Sequence, residues 1–155
     1  MKKITPQRLK NIALYYLDRF DASSEKLRSV LKRRVQKAIM MGDEVPSDVS
    51  NWIDEIVQDM QRLGYVNDKR FCENKIRQYL NAGKSNRYII GKLSEAGIDL
   101  DLIQSFLPDD ELEQARIFVH KKRLGQDYQK DLAKLSRAGF SYDIAQKVLK
   151  EDSNV

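Results

Sequence analysis

A six-residue pattern that occurs twice constrains the fold of this chain more than any other feature of its sequence. Lys92–Gly97 reads KLSEAG, and Lys134–Gly139 reads KLSRAG 42 residues further along. A residue that can cap a helix lies eight positions before the leucine of each copy, as Ser85 before Leu93 and Asp127 before Leu135. The same spacing occurs once more, earlier in the chain, as Ser23 before Leu31. The sequence therefore predicts three tandem copies of one helical unit, with an expanded first copy.

Apolar residues spaced three and four positions apart predict nine helices and no strand. Seven Gly and three Pro among 155 residues also leave few turns, which favours helices over many short strands. The expected fold class is all-α, with three tandem three-helix repeats in an elongated, curved array. We place the first repeat at residues 1–63, with an expanded second helix and loop, the second at 64–108 and the third at 109–150. Residues 151–155 are expected to be a frayed tail.

Composition narrows the class of protein. Lys and Arg number 28 against 23 acidic residues, so the formal net charge is +5 and the pI is near 9.2. Such a balance is compatible with nucleic acid or an acidic protein as partner, and equally with an ordinary solvated surface. The single cysteine, Cys72, cannot form an intramolecular disulfide, which fits a reducing compartment. With no signal peptide and no apolar run of membrane-spanning length, we expect a cytoplasmic protein.

Residues suited to catalysis or metal binding are scarce. The chain has one His and one Cys, His120 and Cys72, which excludes a zinc site built from those ligands. His120 is expected on a helix surface and Cys72 in a core. Gly83–Ser85 reads GKS, which is also the end of a phosphate-binding loop motif. That motif requires a second glycine five positions before Gly83, and this position is Gln78. A helix stop followed by a new N-cap is therefore the better interpretation. We therefore expect no catalytic residue, no metal and no cofactor.

Basic residues are the best candidates for contacts with a partner. Lys26, Arg33 and Lys37 share one stripe of the second predicted helix. Arg34 falls within the apolar arc of that helix, so it should extend its charge to the surface or meet a partner. The other candidates are Lys84, Arg87, Lys121, Lys122, Arg123, Lys130, Lys134 and Arg137. A solvated face and contact with phosphates or an acidic groove both stay open.

Several segments over about residues 8–150 together have the order and spacing of a known family. One is Leu63–Phe71, which reads LGYVNDKRF. The other matching positions are Ala13–Phe20, Ser23, Leu27–Arg34, Gly83, Ile89, Leu93, Gly97, Lys121, Lys122, Arg137–Ser141 and Ile144. These segments resemble the bacterial regulatory protein family RecX, and Leu63–Phe71 is similar to its central signature. That signature usually carries paired aspartates, the first of which is Asn67 here, and Phe71-Cys72 stands where an aromatic residue and alanine are common.

The resemblance implies a function. It implies a three-repeat helical protein that binds the RecA recombinase, lies in the groove of the RecA–DNA filament, and restrains ATP hydrolysis and strand exchange in recombination and DNA repair. We expect a monomeric, non-enzymatic modulator, and a direct contact with DNA stays open. The first alternative is a helical DNA-binding protein without a specific protein partner, which a steep salt dependence would reveal. The second is an enzyme that uses carboxylates and a metal.

Overall fold

The computed structural model describes residues 3–153, and within that range the chain forms nine α-helices and no strand. The helices are α1 (Pro6–Arg19), α2 (Ser24–Met40), α3 (Val49–Arg62), α4 (Asp68–Asn81), α5 (Asn86–Glu95), α6 (Leu100–Phe106), α7 (Leu112–Lys122), α8 (Tyr128–Arg137) and α9 (Tyr142–Ser153). The prediction of an all-α fold is confirmed.

The three caps of the predicted repeat frame are also confirmed. Each cap residue has an extended or β-region backbone, and its side-chain oxygen accepts a hydrogen bond from the backbone N–H three residues later. Ser23 accepts from Lys26 at 3.1 Å, Ser85 from Tyr88 at 3.1 Å, and Asp127 from Lys130 at 3.2 Å. The second helix of each predicted repeat thus begins in the same way.

The chain divides into two compact units, the first of which ends at Phe71. In that unit α1, α2 and α3 pack on one another. Their apolar faces meet around side chains with no exposed surface, among them Leu9, Leu27, Leu31 and Met60. The second helix runs 17 residues, longer than any other described helix.

The second unit begins at Cys72. Its largest helix contacts join α7 and α8 to α9, and α5 to α6. Leu135 and Ala115 are fully buried there, and the rings of Phe118 and Phe140 meet edge to face with centroids 5.6 Å apart. The boundaries and the elongated arrangement that we predicted for the three repeats stay predictions.

The sequence predicts that Gly125 ends the seventh helix, because glycine adopts a left-handed conformation easily. That prediction is wrong, because α7 ends at Lys122 and Arg123 already adopts a left-handed conformation with φ of 54° and ψ of 47°. α9 continues through Ser153, and the fraying that we predicted for residues 151–155 stays a prediction. Glu151 is held there by Arg116, whose Nε and Nη2 donate to its two carboxylate oxygens at 2.8 and 2.9 Å. Residues 154–155 of the predicted tail lie outside the described residues.

Not every apolar residue on a helical stripe is in a core. Phe20 at the end of α1 is 56% exposed, Ile39 near the end of α2 is 47% exposed, and Tyr128 at the start of α8 is 43% exposed. Each lies at or next to a helix terminus. Cys72 is fully buried, as expected.

Candidate functional site

The acid of the central signature caps a helix that lies 44 residues earlier in the sequence. Ser24 is the first residue of α2, so its backbone N–H has no acceptor within the helix. That N–H donates to Asp68 Oδ1 at 2.7 Å, and the Ser24 hydroxyl donates to Asp68 Oδ2 at 2.7 Å. A carboxylate at the positive end of a helix dipole is stabilising. The start of α4 therefore fixes the start of α2.

The same device recurs in the second unit with different residues. Asn86 is the first residue of α5, and its backbone N–H donates to Glu111 Oε1 at 3.0 Å. Gln114, which is buried, donates from Nε2 to Lys84 O at 3.0 Å and to Asn86 Oδ1 at 2.7 Å. At the start of α7 itself, Asp110 rather than Glu111 accepts the Leu112 N–H.

A further contact brings the beginning of α5 beside the end of α8. The Ser85 hydroxyl donates to Ala138 O at 2.8 Å. A Cβ added to Gly139 would lie 2.6 Å from Ser85 Oγ, a separation that no side chain tolerates without movement. Glycine is therefore required for the two helix ends to approach this closely.

This approach creates an open groove of about 530 Å³ between α5 and α8, which we call the junction groove. Its cationic lining residues are Arg87, Lys92 and Arg137, and none of the three forms an ion pair with another described residue. Glu95 is the acidic residue that lines it. The remaining lining residues are Tyr88, Gly91, Ser136, Ala138 and Gly139.

The ring of Tyr88 attracts two ammonium groups at one side of the junction groove. The ammonium groups of Lys84 and Lys92 lie 4.7 and 5.7 Å from the centroid of the Tyr88 ring, within the range of cation–π attraction. Tyr79 meets the same ring edge to face, with centroids 5.6 Å apart. Burial raises the pKa of the Tyr79 hydroxyl, so this hydroxyl stays protonated at neutral pH.

A second basic groove adjoins the first. It has a volume of about 470 Å³, and we call it the α7–α8 groove. Phe118 and Lys122 line it from α7, and Lys134, Arg137 and Ala138 line it from α8 and its cap. Because Arg137 and Ala138 line both grooves, the basic surface continues from one groove to the other.

Comparison with known proteins places the chain in a family. No protein-family model matches it. The regulatory protein RecX of Myxococcus xanthus is 34% identical to it over 99% of this chain and 89% of that protein. The regulatory protein RecX of Legionella pneumophila (strain Corby) is 35% identical over 79% of this chain and 89% of that protein. The chain belongs to the RecX family.

The fold of this RecX-family chain agrees with a solved member. The crystal structure of RecX from Lactobacillus salivarius superposes with a TM-score of 0.74, covers 97% of both chains, and is 24% identical. The resemblance inferred from the sequence is therefore confirmed, and the chain is a regulatory protein by family.

The candidate cations of this RecX-family chain outside the grooves lie in separate places. Lys26, Arg33 and Lys37 are exposed on α2, as expected. Arg34 is half-buried, and its Nη1 atom is buried without a hydrogen-bond partner among the described residues. That Arg34 extends its charge to the surface or meets a partner stays a prediction. Arg28 instead pairs with acids on two helices, at 2.9 and 3.1 Å.

The cations of the third predicted repeat separate in the same way. Lys121 and Lys130 are exposed and line neither groove. Arg123 lines a different depression beside His120, which is exposed as predicted, and next to the paired Arg116. The structure thus brings together Lys84, Arg87, Lys122, Lys134 and Arg137 of the predicted candidates.

Sequence reasoning missed Tyr88, Gly91 and Lys92, which line the junction groove. Lys92 opens the repeated KLSEAG pattern, and its counterpart Lys134 was among the candidates. That equivalence was a signal that could have identified Lys92. Tyr88 and Gly91 carried no such signal, because their position depends on the approach of α8.

Between residues 3 and 153, no three His, Cys, Asp or Glu side chains come together as a group that could hold a metal ion. Over the same range, none of the helices combines the length and the apolar character that crossing a membrane requires.

Proposed function

We propose that this chain binds the RecA recombinase on its DNA filament and restrains ATP hydrolysis and strand exchange by binding alone, as a monomer in the cytoplasm. The observation that carries the proposal is the 34% identity to a regulatory protein RecX over 99% of this chain. We propose RecA as the partner because the family resemblance implies it. The proposed role is non-enzymatic.

A regulator of this kind needs only a difference in affinity. A ligand that binds one state of a filament more tightly than another shifts the population between the states by that difference. Open basic grooves suit contact with a large anionic surface, since exposed charges steer association and set orientation. The unpaired cations of the two grooves therefore support a binding role.

The same cations support the alternative of a DNA-binding protein without a specific protein partner. The two functions differ in their response to salt. Binding through phosphates weakens steeply as salt rises, because counterions are released from the nucleic acid. A packed protein interface weakens less. Complex formation with RecA at elevated salt would favour the proposed function.

The decisive experiment titrates the chain into RecA bound to single-stranded DNA and follows ATP hydrolysis. We expect the rate to fall as the chain is added. An unchanged rate at several-fold molar excess would contradict the proposal. Charge reversal of the exposed cluster at Lys121, Lys122 and Arg123 to glutamate should weaken the effect.

A matched control keeps the net charge equal. The triple variant Lys32→Glu, Arg77→Glu and Lys147→Glu reverses three exposed charges that are not candidate contacts. It should inhibit as the unmodified chain does. If the cluster variant stays folded by circular dichroism and inhibits fully, Lys121–Arg123 is not the contact surface.

A further inference from the structure

We propose that the junction groove and the α7–α8 groove together bind single-stranded nucleic acid, with Arg87 and Arg137 on its backbone phosphates. This inference goes beyond the proposed function, because it assigns a ligand to these two grooves that requires no RecA. It rests on three observations in the second unit: the unpaired cations, a glycine that the fold does not require, and an aromatic ring in each groove.

The first observation is the positive charge of the two grooves. Arg87, Lys92 and Arg137 line the junction groove, and Lys122 and Lys134 extend the surface into the α7–α8 groove. None of these side chains forms an ion pair with another residue in the described part of the chain. Guanidinium groups bind phosphate oxygens in pairs of parallel hydrogen bonds. The guanidinium groups of Arg87 and Arg137 are therefore available to a polyanion, while the Lys92 ammonium also lies 5.7 Å from the centroid of the Tyr88 ring and Glu95 adds one negative charge to the lining.

Gly91 supplies the second observation. It lies inside α5, is exposed, and lines the junction groove. Its φ is not positive, and a Cβ at this position would meet no atom within 4 Å. Glycine in a helix interior is unfavourable relative to other residues, and here neither packing nor backbone conformation requires it. The close approach of a ligand to the helix backbone would require it.

The aromatic rings decide between two kinds of polyanion. Tyr88 lies among the cations of the junction groove, and Phe118 lies among those of the α7–α8 groove, and both are half-buried. Basic grooves with interleaved aromatic rings are typical of proteins that bind single strands, where the cations follow the backbone and the rings contact bases. An acidic peptide has no bases to place against them. The arrangement therefore favours single-stranded nucleic acid.

The first test measures binding of a fluorescently labelled oligothymidylate by anisotropy, without RecA. The double variant Arg87→Gln and Arg137→Gln should weaken binding about tenfold or more at low salt. It should also reduce the slope of log affinity against log salt by about 1.4, or about 0.7 for each lost phosphate contact. The control variant Arg77→Gln and Lys147→Gln removes the same charge from exposed positions outside both grooves, and should bind within about twofold of the unmodified chain.

The second test separates binding from folding. Gly91→Leu places a side chain in the junction groove while improving helix propensity, so the melting temperature should rise by about 2–4 °C. Binding of the oligothymidylate should nevertheless weaken. Ser94→Leu adds the same side chain to an exposed position of α5 outside the groove, and should leave binding unchanged. A more stable variant with weaker binding cannot be explained by misfolding.

Three results would overturn the inference. The first is the absence of oligothymidylate binding at micromolar protein in low salt. The second is an equal loss in the groove and control double variants, which would indicate nonspecific attraction to net charge. The third is tighter binding of poly-L-glutamate than of the oligothymidylate, which would assign the grooves to an acidic protein segment. Since RecA is absent from every measurement, failure here leaves the proposed function to its own assay.

Discussion

Removal of the Asp68 carboxylate should destabilise the first unit by more than is usual for a half-exposed acidic side chain. Asp68→Ala deletes both acceptors of Ser24, which receive its N–H and its hydroxyl at 2.7 Å. A hydrogen bond to a charged group contributes about 1.5–3 kcal/mol. Because the site is only half-buried and water can replace part of each bond, the lower figure applies, and the two bonds together give about 3 kcal/mol. At about 2–4 °C per kcal/mol, the melting temperature should fall by about 6–12 °C.

The assay is urea denaturation followed by circular dichroism at a helical wavelength. Asp68→Asn keeps one acceptor and loses the charge, so we expect about half of the loss, or about 1.5 kcal/mol. Asp99→Ala is the control, because Asp99 is the N-cap of α6 but makes no capping bond with its side chain. That variant should cost about 0.5 kcal/mol, through the helix dipole alone.

A double-mutant cycle isolates the bond between the two side chains. Ser24→Ala removes the hydroxyl and keeps the backbone N–H, so the double variant with Asp68→Ala should show a coupling of about 1–1.5 kcal/mol. The reasoning is refuted if Asp68→Ala costs no more than Asp99→Ala, or if the coupling is zero. Either result would mean that water replaces the carboxylate without loss.

Three further predictions concern other particular positions. Arg123→Gly should raise the free energy of unfolding by about 1 kcal/mol, because Arg123 holds a left-handed φ of 54° that glycine adopts without strain; equal or lower stability in urea would contradict this. Arg116 lowers the pKa of Glu151 through its hydrogen bonds, so the stability from this pair is present above the ordinary glutamate pKa and is lost as the pH falls through the depressed value. Glu151→Gln should therefore speed amide exchange at the end of α9 at pH 7 but not in acid, and equal acceleration at both pH values would count against the pairing. Gly139→Ala should lower the free energy of unfolding by about 2–3 kcal/mol, since φ is 99° and the new Cβ would lie 2.6 Å from the N-cap hydroxyl of α5. Gly64→Ala is its control, with φ of 81° and nothing within 4 Å, and should lower it by only about 1 kcal/mol. Equal losses for the two glycines in urea would show that the close approach is relieved elsewhere.

Much of the fold could be predicted because its signals are local. Helix periodicity repeats every three or four residues, and an N-cap bond joins residues three positions apart, so Ser23, Ser85 and Asp127 were recognisable without tertiary information. The end of α7 was harder to predict from the sequence. A left-handed arginine is unfavourable by itself, and the sequence offered Gly125 as the apparent stop two residues later.

The candidate surface was only partly predictable from the sequence. Basic residues can be counted along a chain, but the count does not say which of them face one another. Arg87 and Arg137 line the same groove although 50 positions separate them, while Arg123 lies in a different depression from Lys122, its neighbour in sequence. Gly91 gained its interpretation only when the structure showed that nothing packs against it.

The sequence by itself determined the helices, their caps, the repeated frame and the family, because each of these is carried by the order and spacing of residues along the chain. The tertiary structure alone decided that Asp68 caps α2 across 44 residues and that Ser85 reaches Ala138 across 53. The physical reason is distance along the chain. A carboxylate or hydroxyl can satisfy any nearby donor or acceptor, and which one is near depends on how the helices pack.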